Sequence, residues 1–306
     1  MNNLYETLLK YNIKPQKYKY INKACILYTE KEKYVVKSKK RVDKDKLYDY
    51  LLSRDFTFFL YPENDLTDDY EIYSYLDEIE LDRDEKAKDL MFIMSDLHNR
   101  TTSYKDIDLD KIKEIYEEKQ GRIDYLFHYY NDLEEVFMMK VYNSPAEYLL
   151  LRNIDKIYNT LNYSRFLLED WYKRITNNKK MRISFIHNRI SLEHFIAGRD
   201  AKLINFDYAK YDCPIYDYIY FYKKHYKELD MDSLYQIYQH KFKFTKEEEL
   251  LFFIEIIIPD KIRFTNDHYN NCLQVYNLNK YLDTSREFIL KEQKKDQKRY
   301  DTKETK

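Results

Sequence analysis

The sequence has almost no glycine. Two glycines and five prolines serve 306 residues. Glycine lets backbone curl closely around a phosphate group, so two of them leave no room for a glycine-dependent phosphate loop. Cysteine is scarce as well. Cys25, Cys213 and Cys272 lie far apart and lack metal-ligand spacing, so free thiols in a reducing cytosol are expected. No sign of charge dominates: 53 Lys and Arg face 54 Asp and Glu. Neither nucleic acid nor an acidic membrane surface is therefore an expected partner. Long hydrophobic runs are missing too. The most apolar one, Leu250–Ile258, stops at Pro259 and is about half of the roughly 20 residues that span a bilayer. It is expected to be a buried helix, without membrane insertion. The opening Met-Asn-Asn-Leu-Tyr-Glu has no basic stretch leading into an apolar core, so no secretory signal is expected and the protein is placed in the cytoplasm.

What is abundant is tyrosine, at 35 residues beside 17 Phe. Tyrosine buries a ring but needs a partner for its hydroxyl, which favours the margin of a core. An AT-rich coding sequence would equally produce the abundance of Lys, Asn, Ile, Tyr and Phe.

Along the chain, residues 1–20 suggest a short helix and a loop. Ala24–Thr29 and Lys33–Lys39 are β-type runs around Glu30-Lys31-Glu32, a hairpin signal. Residues 43–54 suggest a helix, and Phe56–Tyr61 and Glu71–Leu76 two more strands. From residue 84 apolar residues recur at helical spacing. Helices are expected over Asp84–Arg100 and at about 108–140, 144–176, 214–228, 230–241 and 245–258. The segment 181–209 interrupts them with a strand (Arg182–Ile186), a loop, a short strand near Phe195, a turn at Gly198-Arg199-Asp200 and a strand (Lys202–Phe206). The charged tail beyond Asp283 is expected to be a frayed helix or disordered.

Residues 187–196 read His-Asn-Arg-Ile-Ser-Leu-Glu-His-Phe-Ile and residues 203–209 read Leu-Ile-Asn-Phe-Asp-Tyr-Ala. Together they resemble the paired signature of the aminoglycoside phosphotransferase and choline kinase-like superfamily: a loop H-G-D-x-x-x-x-N, then a strand carrying I-D-F/W-D/E. Three further stretches are similar to the spore-coat kinase-like branch: Lys86-Ala87 through Asp96-Leu97-His98, Asp212-Cys213-Pro214-Ile215-Tyr216-Asp217, and Glu248-Glu249-Leu250-Leu251 through Pro259-Asp260-Lys261-Ile262-Arg263-Phe264. The resemblance covers roughly residues 20–265. It implies an α+β, protein-kinase-like two-lobed fold with a small antiparallel β N-lobe (1–78), a larger mostly helical C-lobe (79–283) and a charged, flexible tail (284–306).

The resemblance holds at the flanks of the signature and fails at its centre. Arg189 stands at the catalytic-base position. A guanidinium stays protonated and has no acceptor atom, so it cannot take a proton from an alcohol. It can instead pair with a buried acid or an anion. His194 stands at a metal-binding Asn position, and imidazole is a poor ligand for Mg²⁺. Asn205 replaces a metal-binding carboxylate. His187 opens the loop, where the resemblance implies a holding role. Asp207 would share a strand face with Asn205 if the strand persists and could support a metal. Lys37 occupies the place of a nucleotide-gripping lysine paired with a helix acid, Asp45 or Asp49. Equally it belongs to a run of surface lysines (Lys33, Lys37, Lys39, Lys40). Asp217 matches an acid that braces the loop.

The expected function is a degenerate phosphotransferase, a pseudokinase that binds a protein partner, with nucleotide as a candidate ligand. The spore coat or envelope assembly is implied by the resemblance. One rival is an active kinase for a small-molecule alcohol, using Lys37 and Asp207 with ATP and Mg²⁺. The other is a structural coat component in which tyrosines adhere or cross-link.

Overall fold

In the computed structural model, which describes residues 2–39, 44–64 and 68–304, the chain begins with α1 (Asn2–Lys10). A four-stranded antiparallel sheet follows: β1 (Lys17–Ile21), β2 (Ala24–Tyr28), β3 (Lys33–Ser38) and β4 (Tyr70–Ser74), with α2 (Lys44–Ser53) between the last two. Next come α3 (Arg83–Thr101), β5 (Ser103–Asp106), α4 (Leu109–Met138), α5 (Pro145–Arg152), α6 (Ile154–Asn177) and β6 (Lys180–Ile186). The short strands β7 (Phe195–Ile196), β8 (Lys202–Leu203) and β9 (Lys210–Asp212) precede α7 (Ile215–His225), α8 (Met231–Lys241), α9 (Lys246–Ile257) and α10 (His268–Glu304). Among the described residues no helix is long and apolar enough to cross a membrane.

The chain forms two compact units, neither continuous in sequence. The first holds Met1–Thr102, Ser184–Asp212 and Lys227–Lys243; the second holds Ser103–Ile183, Cys213–Tyr226 and Phe244–Lys306.

In the first unit the alternation of strand side chains gives the β1–β4 sheet two unlike faces. Cys25, Leu27, Val36 and Ile72 point one way and are buried with Leu8 of α1, each such side chain contributing on the order of 2 kcal/mol. Lys37 and Glu71 point the other way, directly opposite each other on β3 and β4. On α3, Asp96 takes Arg100 at 2.8 Å and Lys241 of α8 at 2.7 Å. His98 meets the Tyr238 hydroxyl at 2.6 Å.

In the second unit α6 packs on α4 and α9, α7 on α9, and α10 on α5 and α9. The helix starts are written locally. Ser144 with Glu147 and Thr245 with Glu248 form capping boxes that satisfy exposed N–H groups. The apolar run Leu250–Ile258 is buried as expected. The first four residues of β6, Lys180–Ile183, pair with β5.

The structure departs from the expected elements in several places. Residues 17–21 are not loop: Lys-Tyr-Lys-Tyr-Ile, in which lysine and tyrosine alternate, forms β1, whose side chains are all exposed. The run Phe56–Tyr61 does not join a ladder as a strand. Only Phe59 bridges, in parallel, to Leu203, while Phe56 and Phe59 are buried in the core. The stretch 144–176 is two helices meeting at Asn153. The tail beyond 283 continues α10, with Ser285, Phe288 and Ile289 buried. The tyrosines divide: Tyr48, Tyr130, Tyr218, Tyr222, Tyr235 and Tyr238 are fully buried, whereas Tyr18, Tyr20, Tyr142 and Tyr269 are exposed.

Candidate functional site

The loop after β6 is held from both ends. Asn188 takes a left-handed backbone, with φ 64°, where the resemblance has glycine; Asn is among the few side chains that accept this region readily. His187 is wholly buried. Its Nε2 lies 2.9 Å from the Ile204 carbonyl oxygen, so that nitrogen carries the proton and donates. Its ring packs against Phe206 at 5.0 Å and His194 at 5.4 Å. The Ile204 N–H donates to the His194 carbonyl at 2.9 Å, which ties the loop to the segment returning from β8. Ile190 and Leu192 anchor it from below as buried side chains.

β8 ends at Leu203, and Asn205 adopts φ 70°, ψ 50°. Asp207 consequently lies in a 3-10 turn (Phe206–Tyr208), not on a strand face shared with Asn205. Lys37 brings the two together anyway. Its Nζ donates to Asn205 Oδ1 at 3.0 Å and lies 3.7 Å from Asp207 Oδ2. Asn205 Nδ2 is 3.1 Å from His194 Nε2, and His194 Nδ1 is 2.7 Å from the Arg189 carbonyl oxygen and 3.2 Å from Ser191 Oγ.

The direction of every bond in this chain follows from its first member. An ammonium only donates, so Asn205 must turn its oxygen to Lys37. Its amide NH₂ must then donate to His194 Nε2, which is left unprotonated. The proton of a neutral imidazole therefore sits on Nδ1 and donates to the Arg189 carbonyl. The result is a relay from Lys37 through Asn205 and His194 to the loop backbone.

Arg189 is exposed. Its guanidinium carbon lies 3.5 Å from the centroid of the Tyr208 ring, a stacked cation–π contact. Among the described residues the guanidinium makes no hydrogen bond or ion pair with a protein group.

Sequence reasoning missed Glu71. It stands opposite Lys37 on β4 and is buried. The Tyr73 hydroxyl donates to Glu71 Oε2 at 2.9 Å, with the Tyr48 hydroxyl 3.4 Å beyond. Burial first, then the neighbouring Tyr48 and Glu71, push the Tyr73 phenol well above its ordinary range. The detectable signal was a glutamate at an inward position of a strand run. Of the two helix acids expected to pair with Lys37, Asp49 is exposed and the Asp45 side chain lies outside the described residues; Asp207 is an acid beside Lys37. Asp217 is buried in the first turn of α7, in the second unit.

The turn that would cover a nucleotide's phosphates is minimal. Ile21 pairs with Ala24, which leaves Asn22 (φ 53°) and Lys23 as a two-residue hairpin turn. Tyr20 points to solvent beside Tyr18, ring centroids 5.7 Å apart, and fills no pocket.

The residues do not fit a divalent cation. Mg²⁺ requires hard oxygen donors in near-octahedral order. Asn205 Oδ1 is engaged by an ammonium and His194 Nε2 by an amide, which leaves Asp207 with a lysine 3.7 Å away. Among the described residues no group of three or more His, Cys, Asp and Glu could hold a metal ion.

No protein-family model and no curated protein matches the sequence. Solved structures do match the fold. An aminoglycoside phosphotransferase from Alicyclobacillus acidocaldarius superposes with TM-score 0.71 at 11% identity, over 95% of each chain. The AMP-bound spectinomycin phosphotransferase gives 0.55 at 12%, over 93% of this chain and 97% of that one. A glucosamine kinase in complex with glucosamine, ADP and inorganic phosphate gives 0.52 at 10%, over 92% and 81%. The chain therefore has the α+β, protein-kinase-like fold of the aminoglycoside phosphotransferases, with a small antiparallel sheet in its N-terminal part and a larger, mostly helical C-terminal part.

Proposed function

We propose that this protein is a pseudokinase of the aminoglycoside phosphotransferase type, a binding or scaffold protein that does not transfer phosphate from Mg·ATP. The observation that carries this reading is the relay Lys37–Asn205–His194–Arg189 backbone. Groups at the positions of metal ligands are satisfied by one another, and the base position holds a cation. Losing a general base costs on the order of 10²- to 10⁴-fold in rate. Losing the metal removes the charge neutralisation on which phosphoryl transfer chiefly depends. Nucleotide is a candidate ligand because similar folds are solved with AMP and ADP. A place in the spore coat or envelope assembly rests on the sequence resemblance alone.

The test is turnover of Mg·ATP and Mn·ATP with aminoglycosides, choline and amino sugars, alongside thermal unfolding with ATP or ADP. No phosphorylation is expected. Turnover that disappears in Asp207→Asn would overturn the reading. The 3.7 Å approach of Lys37 to Asp207 supports the rival, an active kinase built on those two residues. That rival requires a metal-dependent rise in melting temperature with nucleotide, lost in Lys37→Ala. Ligand at 100 times its Kd would stabilise by about 2.7 kcal/mol, so the rise would be measurable.

A further inference from the structure

We infer that Arg189 anchors an anion site, and that this loop takes a small molecule bearing a phosphate monoester in place of an alcohol awaiting phosphorylation. The inference rests on the reading that phosphoryl transfer is absent, and adds a ligand class to it.

The sequence left two uses for Arg189: a buried acid or an anion from outside. The structure removes the first, because the guanidinium is exposed and no acid of the described residues pairs with it. What the structure provides instead is restraint. The Arg189 carbonyl is held by His194 Nδ1 at 2.7 Å, the residue before it is locked in a left-handed turn, and the side-chain plane lies on Tyr208 at 3.5 Å. A long flexible side chain is ordered before any ligand arrives, and such pre-organisation lowers the entropy lost on binding.

Stacking uses the face of the guanidinium and leaves its edge. The five N–H donors lie in that plane and do not bond to described protein groups. Two of them together match the spacing of two oxygens on a carboxylate or phosphate. Phosphate is favoured over carboxylate by charge. At an exposed cation water screens the attraction strongly, so a single negative charge gains little. A monoester carries close to two charges and three acceptor oxygens at neutral pH.

Full-length protein with chelator present should be titrated calorimetrically at low salt with inorganic phosphate, glucose 6-phosphate and glucose. The phosphate-bearing probes are expected to bind and glucose is not. Arg189→Ala should weaken binding about 10- to 100-fold, the loss of charge-assisted hydrogen bonds. Arg189→Lys keeps a charge without the fork and should recover only part of it. Tyr208→Ala should weaken binding severalfold and Tyr208→Phe should not. Melting temperatures of the variants should match the parent, since Arg189 is exposed. Equal binding of glucose and glucose 6-phosphate, unchanged affinity in Arg189→Ala, or no binding of either phosphate probe at millimolar concentration would each overturn the anion site. Mg·ATP turnover of the same preparation, free of chelator, is scored separately. Turnover sinks the pseudokinase reading, whereas its absence without phosphate binding sinks only the anion site.

Discussion

Glu255 in the second unit and Lys37 in the first each meet more than one partner, and these two cases do opposite things. In the second unit Glu255 of α9 lies between Lys119 and Lys223, the latter at 3.0 Å, with its side chain only 14% exposed. Burial works against the carboxylate, and the two ammonium groups more than offset it, holding its pKa down at about 2. In the first unit the central charge is Lys37, which donates to a neutral amide at 3.0 Å. The acid, Asp207, is farther away at 3.7 Å. The first arrangement closes a charge inside a helical core. The second passes a lysine's hydrogen bond along a chain of neutral groups to a loop backbone, with an unbridged arginine beside it. The acid with two counter-charges ties α9 to α4 and α7, whereas beside the relay a cation stays exposed.

Removing Glu255 should therefore produce the largest effect. Glu255→Ala leaves the largely buried Lys119 and the exposed Lys223 without their acid, and urea denaturation should show a loss of about 3 kcal/mol. A loss no larger than that of an ordinary surface change would break the comparison.

Acid should reproduce most of that effect reversibly. The folded pKa of Glu255 is about 2 against an ordinary 4.5, so its contribution is present above pH 4.5 and is lost as pH falls from there toward 2. The depression corresponds to about 3 kcal/mol. Glu255→Gln should flatten the stability profile over that window, and an unchanged profile would contradict the pairing.

Asn205→Ala comes next. It cuts the relay at its centre and strips a partner from both Lys37 and His194, at an expected cost of about 1 to 2 kcal/mol. A neutral result would mean that water replaces the amide without loss. Arg189→Ala should be the mildest, changing stability by less than about 1 kcal/mol, since an exposed cation–π contact is worth no more. A large stability loss there would make Arg189 structural and blur the contrast between the two regions.

The helices were largely legible because their apolar spacing and start signals are local. Asp82, Asp108, Ser144 and Thr245 cap the helices that follow them. β1 was passed over although lysine and tyrosine alternate along it; all five of its side chains are exposed, and its strand is held by pairing with β2 instead of by burial. Phe56–Tyr61 misled for the opposite reason: its rings enter the core while its backbone stays out of a ladder. At the site, the poor fit of Arg189, His194 and Asn205 to metal-assisted phosphoryl transfer could be read from residue type, since a guanidinium cannot act as a base and an imidazole serves Mg²⁺ poorly. Glu71 was passed over because its meaning depends on which residue stands across the sheet.

By itself the sequence determined which donors and acceptors the loop carries, because that inventory belongs to a side chain wherever it sits. It also determined most helix starts, which depend on residues three or four apart. Only the tertiary structure decided what the substituted residues do instead. Lys37 and Asn205 are 168 positions apart, and nothing local joins them. Their contact, the proton's place on His194 and the stacking of Arg189 on Tyr208 exist because the sheet, the loop and the turn after β8 are folded against one another within the first unit.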